Sequence, residues 1–186
     1  MVTFRRLAVF LCLLSICFAQ HTPRKCADIP LHTTDGKTVR VSQYRGKVVM
    51  LTLFLTSCEE CLAELQFMTR LQNEYGSRGL QVIGISLDES AALVGLFQQR
   101  YRFPFPLSHL DRDPAIQLTD LNKTAQPVVP YLMFVDWKGT VRFQYPANDP
   151  IFNQGEKGIR TIADGLLREA AEKRDPVYKT APAPKQ

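Results

Sequence analysis

Two short stretches of the chain are apolar at nearly every position. Val48 to Leu55 reads Val-Val-Met-Leu-Thr-Leu-Phe-Leu, and Leu80 to Leu87 reads Leu-Gln-Val-Ile-Gly-Ile-Ser-Leu. Runs of this length with so little alternation predict strands buried on both faces of an open sheet. Between them a helical pattern extends to about Tyr75, before Gly76 and Gly79 break the chain. Asp88-Glu89-Ser90 starts a second helix that reaches about Tyr101 and is stopped by Pro104 and Pro106. Asp113-Pro114 has the form of a helix cap with Pro in the first turn, and predicts a short helix to Leu121. Tyr131 to Val135 and Thr140 to Tyr145 form a strand pair around Lys138-Gly139, and Ile159 to Lys173 is a last amphipathic helix. Upstream, Ile29 to Val41 reads as a hairpin around Thr34-Asp35-Gly36-Lys37. The order ββ-βαβα(α)ββα predicts an α/β fold with a parallel core and an antiparallel final pair at its edge.

The ends of the chain differ from this body. Arg5 and Arg6 precede Leu7 to Ala19, thirteen residues of which only Ser15 is polar. This is shorter than the roughly 20 apolar residues that span a bilayer, and it reads as a secretory signal peptide, 1–19, cut after Ala19. Leu14-Ser15-Ile16-Cys17 is a faint lipoprotein box that the bulky Ile16 argues against, and Arg5-Arg6 lacks the rest of a twin-arginine motif. Residues 20–26 are expected to be a flexible N-terminus, 27–174 the folded domain, and 175–186, with three Pro, a disordered tail. The expected location is exported: periplasmic, or otherwise extracytoplasmic.

Composition limits the function classes. The 186 residues are 45% hydrophobic and 22% charged, which suits one globular domain and excludes a disordered, collagen-like or coiled-coil chain. The formal charge of +5 falls to +3 once Arg5 and Arg6 are removed, and no Lys/Arg cluster argues for nucleic acid. Removal of 1–19 also takes Cys12 and Cys17, leaving Cys26, Cys58 and Cys61. One close pair and one odd thiol do not make a disulfide framework, so the pair reads as reactive.

Cys58-Glu59-Glu60-Cys61 lies where the first buried strand meets its helix. A helix N-terminus offers unpaired N–H groups and partial positive charge, which stabilise a thiolate. The thiolate is the nucleophile of disulfide exchange. Two intervening residues bring the second thiol one helical turn on. Cys58 is expected to be exposed and to attack first, and Cys61 to be buried and to resolve the mixed disulfide. Three other readings compete. Structural zinc needs about four ligands, and no second Cys or His pair is present. A structural disulfide over so short a loop removes little unfolded-state entropy. An accidental pair would not follow a buried strand so closely. No metal or other cofactor is called for.

The chain resembles the thioredoxin-fold thiol–disulfide oxidoreductases of bacterial envelopes, the TlpA/ResA-like group of the redoxin superfamily. The resemblance covers about Ala27 to Arg174. It is carried by Asp35-Gly36-Lys37, Tyr44-Arg45-Gly46-Lys47-Val48-Val49, Cys58/Cys61 with Leu62-Ala63-Glu64-Leu65, Arg78-Gly79-Leu80, Val82-Ile83-Gly84-Ile85-Ser86, and Val129-Pro130-Tyr131-Leu132-Met133-Phe134-Val135-Asp136 with Gly139. It implies a thioredoxin-like fold: a central mixed sheet flanked by helices, an N-terminal β-hairpin, and an inserted αβ segment at about Asp88 to Leu110. It implies that Pro130 is a cis-proline facing the Cys pair, with Val129-Pro130 at the substrate-binding edge. Protein thiols and disulfides are the implied partners, with a membrane thiol–disulfide carrier as the electron source. Two features depart from the family pattern. Ser57 stands where a Trp is usual, and Glu59-Glu60 replace a motif that often holds Pro.

Glu64 is three residues beyond Cys61 and shares its helix face. On a helical wheel it falls about 20° from Leu71 and about 40° from Met68, among apolar residues. The resemblance implies a partly buried glutamate that exchanges a proton with the second thiol. The competing reading is a surface residue alongside Glu60 and Glu74. Cys26 reads as a spare thiol or, alternatively, an intermolecular bridge. His32 and His109 read as surface or packed histidines, and the aromatics between Phe97 and Phe105 as core and loop packing. Two other functions lack residues they need. A peroxiredoxin would need Pro seven residues and Thr or Ser three residues before the attacking Cys, where this chain has Leu51 and Leu55. A copper chaperone or other binding module would need a soft ligand beside the thiolates, and no His is placed for it.

Overall fold

The computed structural model describes residues 22–174 apart from Glu89. The expected leader 1–19 and tail 175–186 lie outside the described residues. Among the described residues, β1 (Arg24–Lys25), β2 (Leu31–Thr33), β3 (Thr38–Val39), β4 (Val48–Phe54), β5 (Leu80–Ser86), β6 (Leu107–His109), β7 (Tyr131–Val135) and β8 (Thr140–Tyr145) form one mixed sheet in the order β1-β8-β7-β4-β5-β6-β2-β3. At its centre, β4 (Val48–Phe54) and β5 (Leu80–Ser86) pair in parallel, the two apolar runs of the sequence. β7 (Tyr131–Val135) pairs antiparallel with β4, and β8 (Thr140–Tyr145) with β7.

Every residue of β4 is buried because the sheet is covered on both faces. Val48, Met50 and Phe54 face one core, with helices α1 (Glu59–Tyr75), α2 (Ala91–Tyr101) and α4 (Gly155–Arg174). Val49, Leu51 and Leu53 face the other, with α3 (Arg112–Thr119). Alternation therefore assigns a face to each residue and leaves no polar side for solvent. α1 buries Cys61, Leu65, Met68 and Leu71, a helical stripe against the sheet. Gly84 on β5 sits tightly beneath it, where an added Cβ would lie 2.4 Å from Leu107 Cδ2, 3.3 Å from Phe54 and 3.6 Å from Leu65 of α1. α4 is fastened to α1 by Tyr75, whose hydroxyl donates to Asp164 at 2.9 Å, and by Arg160, paired with Glu74 at 2.6 Å.

The hairpin of β2 (Leu31–Thr33) and β3 (Thr38–Val39) turns through Gly36 at φ +80°, a left-handed conformation that glycine adopts without strain. The inserted αβ segment is α2 followed by β6 (Leu107–His109), which runs parallel to β5 and carries the hairpin on its other side. The aromatics of this segment pack on one another, with Phe97 and Tyr101 ring centroids 4.7 Å apart.

Several boundaries differ from expectation. The stretch expected to be loose contains β1 (Arg24–Lys25), which pairs with Val141 and Thr140 of β8. Cys26 N–H then donates to the Gly139 carbonyl at 3.0 Å. Backbone pairing at a sheet edge needs no apolar side chain, so no hydropathy pattern marks it. α3 begins after Asp111, not Asp113, which places Asp113 and Pro114 within its first turn, and it ends at Thr119. α4 starts at Gly155, a polar turn before the Ile159 that opens its apolar stripe.

Candidate active site

β4 ends at Phe54, and a short turn in which Cys58 N–H donates to the Leu55 carbonyl delivers the chain to α1. Cys58 is the N-cap of that helix, and its Sγ accepts the Cys61 backbone N–H at 3.1 Å. The two cysteines are joined in a disulfide with Cα atoms 5.2 Å apart. Cys58 is half-buried and Cys61 is 1% exposed, so Cys58 is the more accessible of the two. The helix terminus therefore stabilises negative charge on the sulfur that is reachable. Glu59 and Glu60 oppose it. Both are exposed in the first turn, and a Glu60 carboxylate oxygen is 3.9 Å from Cys58 Sγ.

Glu64 is buried, 8% exposed, one turn beyond Cys61. Neither carboxyl oxygen makes a hydrogen bond within the described residues. Burial pushes its pKa up to about 8. The Thr52 hydroxyl on β4 offsets part of that rise by its proximity, yet its geometry falls short of a hydrogen bond, and Thr52 Oγ1 is itself unpartnered. Desolvation dominates because a carboxylate without donors in an apolar core loses its hydration uncompensated. The surface reading of Glu64 is thereby excluded.

Val129-Pro130 is a cis peptide. The antiparallel register pairs Leu53 with Tyr131, so continuing it one residue sets Pro130 beside Phe54 and Val129 beside Leu55. Topology thus brings the pair to the end of the sheet from which the Cys58 turn departs. Val129 is half-exposed there and Pro130 is buried.

One group at this end was not singled out in the sequence. Asp88, just past β5, accepts the Thr56 backbone N–H and the Thr56 hydroxyl, each at 2.9 Å, and the Ser86 hydroxyl at 2.5 Å. His109 Nε2 donates to the Asp88 carbonyl at 2.6 Å, which makes His109 a packed histidine. Asp88 reads in sequence only as a helix starter. Its reach across 32 residues to Thr56 is set by the parallel pairing of β4 with β5.

Cys26 lies elsewhere, buried in the core on the α3 face, and burial pushes its thiol up to about 11. His32 is on the hairpin, its Nδ1 3.0 Å from Thr38 Oγ1. Among the described residues no group of three or more His, Cys, Asp or Glu is arranged to hold a metal ion, and no helix is long and apolar enough to cross a membrane.

The AhpC/TSA family matches residues 22–144. The chain is 37% identical over 75 residues to the thiol-disulfide oxidoreductase ResA of Oceanobacillus iheyensis, 40% of this chain and 39% of that protein. It is 28% identical over 115 residues to the ResA of Geobacillus thermodenitrificans, 62% of this chain and 63% of that protein. The matched stretches thus span less than two thirds of these relatives. Among solved structures, a thiol:disulfide interchange protein of the thioredoxin family from Chlorobium tepidum superposes with a TM-score of 0.66 at 20% identity, covering 78% of this chain and 97% of that one. The sheet and helices described above are a thioredoxin-like fold.

Proposed function

The chain belongs to the AhpC/TSA family, and we propose that within it this protein is an exported thiol–disulfide oxidoreductase that reduces disulfides of partner proteins. The observation that carries this reading is the Cys58–Cys61 disulfide at the N-terminus of α1, with Cys58 Sγ accepting a backbone N–H. In the reduced form Cys58 acts as the thiolate. It attacks one sulfur of a partner disulfide, and the partner's other sulfur leaves and takes up a proton. The ionised fraction of Glu64, a minority at neutral pH, accepts the proton of Cys61 and returns it to the last departing sulfur. The Cys61 thiolate then attacks the Cys58 sulfur, forms the intramolecular disulfide and releases the second partner thiol. Two electrons have passed to the partner. A membrane thiol–disulfide carrier restores the dithiol.

The reductive direction follows from charge. The helix terminus stabilises a Cys58 thiolate, but Glu60 at 3.9 Å and the neighbouring Glu59 destabilise it. A less stabilised thiolate leaves the dithiol less favoured against the disulfide, and so makes it a better reductant. Val129-Pro130 supplies the edge on which an extended partner segment lies, and export follows from reading 1–19 as a leader. The test is titration of the Cys58/Cys61 couple against dithiothreitol and glutathione series. A potential in the range of reducing dithiols, near about −270 mV, is expected. One near about −120 mV would reverse the direction.

A further inference from the structure

We infer that Asp88 is a positioning residue for Cys58, holding the turn before α1 so that the sulfur stays aligned with the helix terminus. The inference rests on the redox reading of Cys58. Thr56 is two residues before Cys58, in a turn that belongs to neither strand nor helix. Asp88 holds this residue by its backbone N–H and its hydroxyl together, one carboxylate oxygen to each. Asp88 is itself held at three points. Its carboxylate accepts from Ser86 Oγ, its own N–H donates to Ser86 Oγ at 3.0 Å, and its carbonyl accepts from His109. Ser86 and His109 are register partners on β5 and β6. The anchor is therefore the sheet, and Asp88 transmits its rigidity to the turn.

The charge of Asp88 and its hydrogen bonds act on Cys58 with opposite sign. A carboxylate near the site raises a thiol pKa, as Glu59 and Glu60 do from α1. Holding the turn lowers it, because Sγ then accepts the Cys61 N–H. β7 brings only Val129 and Pro130 to this edge, which carry no charge. Three donors satisfy the Asp88 carboxylate and damp its field, so positioning is the larger effect.

The reduced full chain is alkylated with iodoacetamide between roughly pH 5 and 9, bracketing a thiol of ordinary or lowered pKa, and the Cys58 peptide is followed by mass spectrometry. Asp88→Ala is expected to slow Cys58 alkylation about five- to tenfold below neutral pH, the effect of losing one or two capping-strength hydrogen bonds. Its profile should move to higher pH. Asp88→Asn keeps an acceptor for the Thr56 N–H and should restore the rate to within about twofold of wild type. Thr56→Val removes only the hydroxyl arm and should fall between. Faster alkylation in both Asp88 variants would make Asp88 a charge and nothing more, and overturn the inference. Should Asp88→Ala not fold, wild-type rates in Thr56→Val would overturn it equally. Alkylation needs no partner protein. A chain that shows this pattern yet exchanges with no protein disulfide would overturn the proposed function and leave the Asp88 assignment standing.

Discussion

Cys58 is tied to Cys61 twice, by the disulfide and by the Cys61 N–H that its sulfur accepts at 3.1 Å. Were the disulfide reduced, the second link would still hold at the helix terminus the sulfur proposed to attack. Cys58→Ser should therefore abolish disulfide reduction. Cys61→Ser should accumulate mixed disulfides through Cys58, since the buried resolving thiol is gone. Non-reducing electrophoresis with a disulfide-bearing protein substrate separates the two outcomes. Trapping by the Cys58→Ser chain alone would invert the roles.

Glu64 predicts a pH dependence in both rate and stability. In the folded chain it holds its proton up to about pH 8, against an ordinary value of 4.5. Below 4.5 it is neutral whether the chain is folded or not, and burial carries no charge penalty. Between 4.5 and 8 the unfolded chain holds fewer protons at this residue, so stability falls as pH rises, by up to about 1.4 kcal/mol per pH unit. Glu64→Gln should remove that fall and leave the variant more stable than wild type at pH 8, as read by urea unfolding. The same variant should resolve mixed disulfides more slowly near neutral pH, with Cys58 attack intact. Superimposable stopped-flow pH profiles would reduce Glu64 to a packing residue.

Cys26 should be silent. Its burial and a thiol pKa near 11 leave almost no thiolate at neutral pH. Alkylation of the reduced native chain should label Cys58 first and Cys26 only after unfolding. An intermolecular bridge through Cys26, the alternative open from sequence, would appear as a dimer on a non-reducing gel, and none is expected.

Gly84 leaves no room for a side chain between β5 and its neighbours. Gly84→Val should cost about 1–3 kcal/mol, because Leu107, Phe54 and Leu65 are buried and have little room to yield. Gly84→Ala should cost less. A lowered urea midpoint at unchanged slope is the expected signature.

The elements legible in the sequence are those whose own side chains carry the signal. Val48–Phe54 and Leu80–Ser86 are apolar at nearly every position, and the Cys61-Leu65-Met68 stripe fixes the buried face of α1. Cys58, Cys61 and the apolar setting of Glu64 followed from spacing along that one helix, whereas the cis bond at Pro130 was implied only by the family resemblance. β1 and the first turn of α4 were missed because Arg24-Lys25 and Gly155-Glu156-Lys157 are polar, and the partners of Arg24 and Glu156 are remote in sequence. β6 is three residues long behind two prolines, too short for any period to show, and only the family resemblance implied it. Asp88 escaped notice for a different reason. Its partner Thr56 is remote in sequence, and only the register of two strands brings them together.

The pairing of the N-terminal strands bears on how this chain reaches its fold. Arg24 finds its partner 117 residues later at Val141, and His32 finds His109 across 77 residues. Closing such spans adds little to the equilibrium cost, which grows only logarithmically with length, but it delays folding. β4 and β5 can zip around α1 as soon as residue 86 exists, whereas β1 has nothing to pair with until β8 has been made. A nascent chain is thus held partly open at its beginning, with the disulfide-bearing centre able to assemble while the first strand still waits for its neighbour.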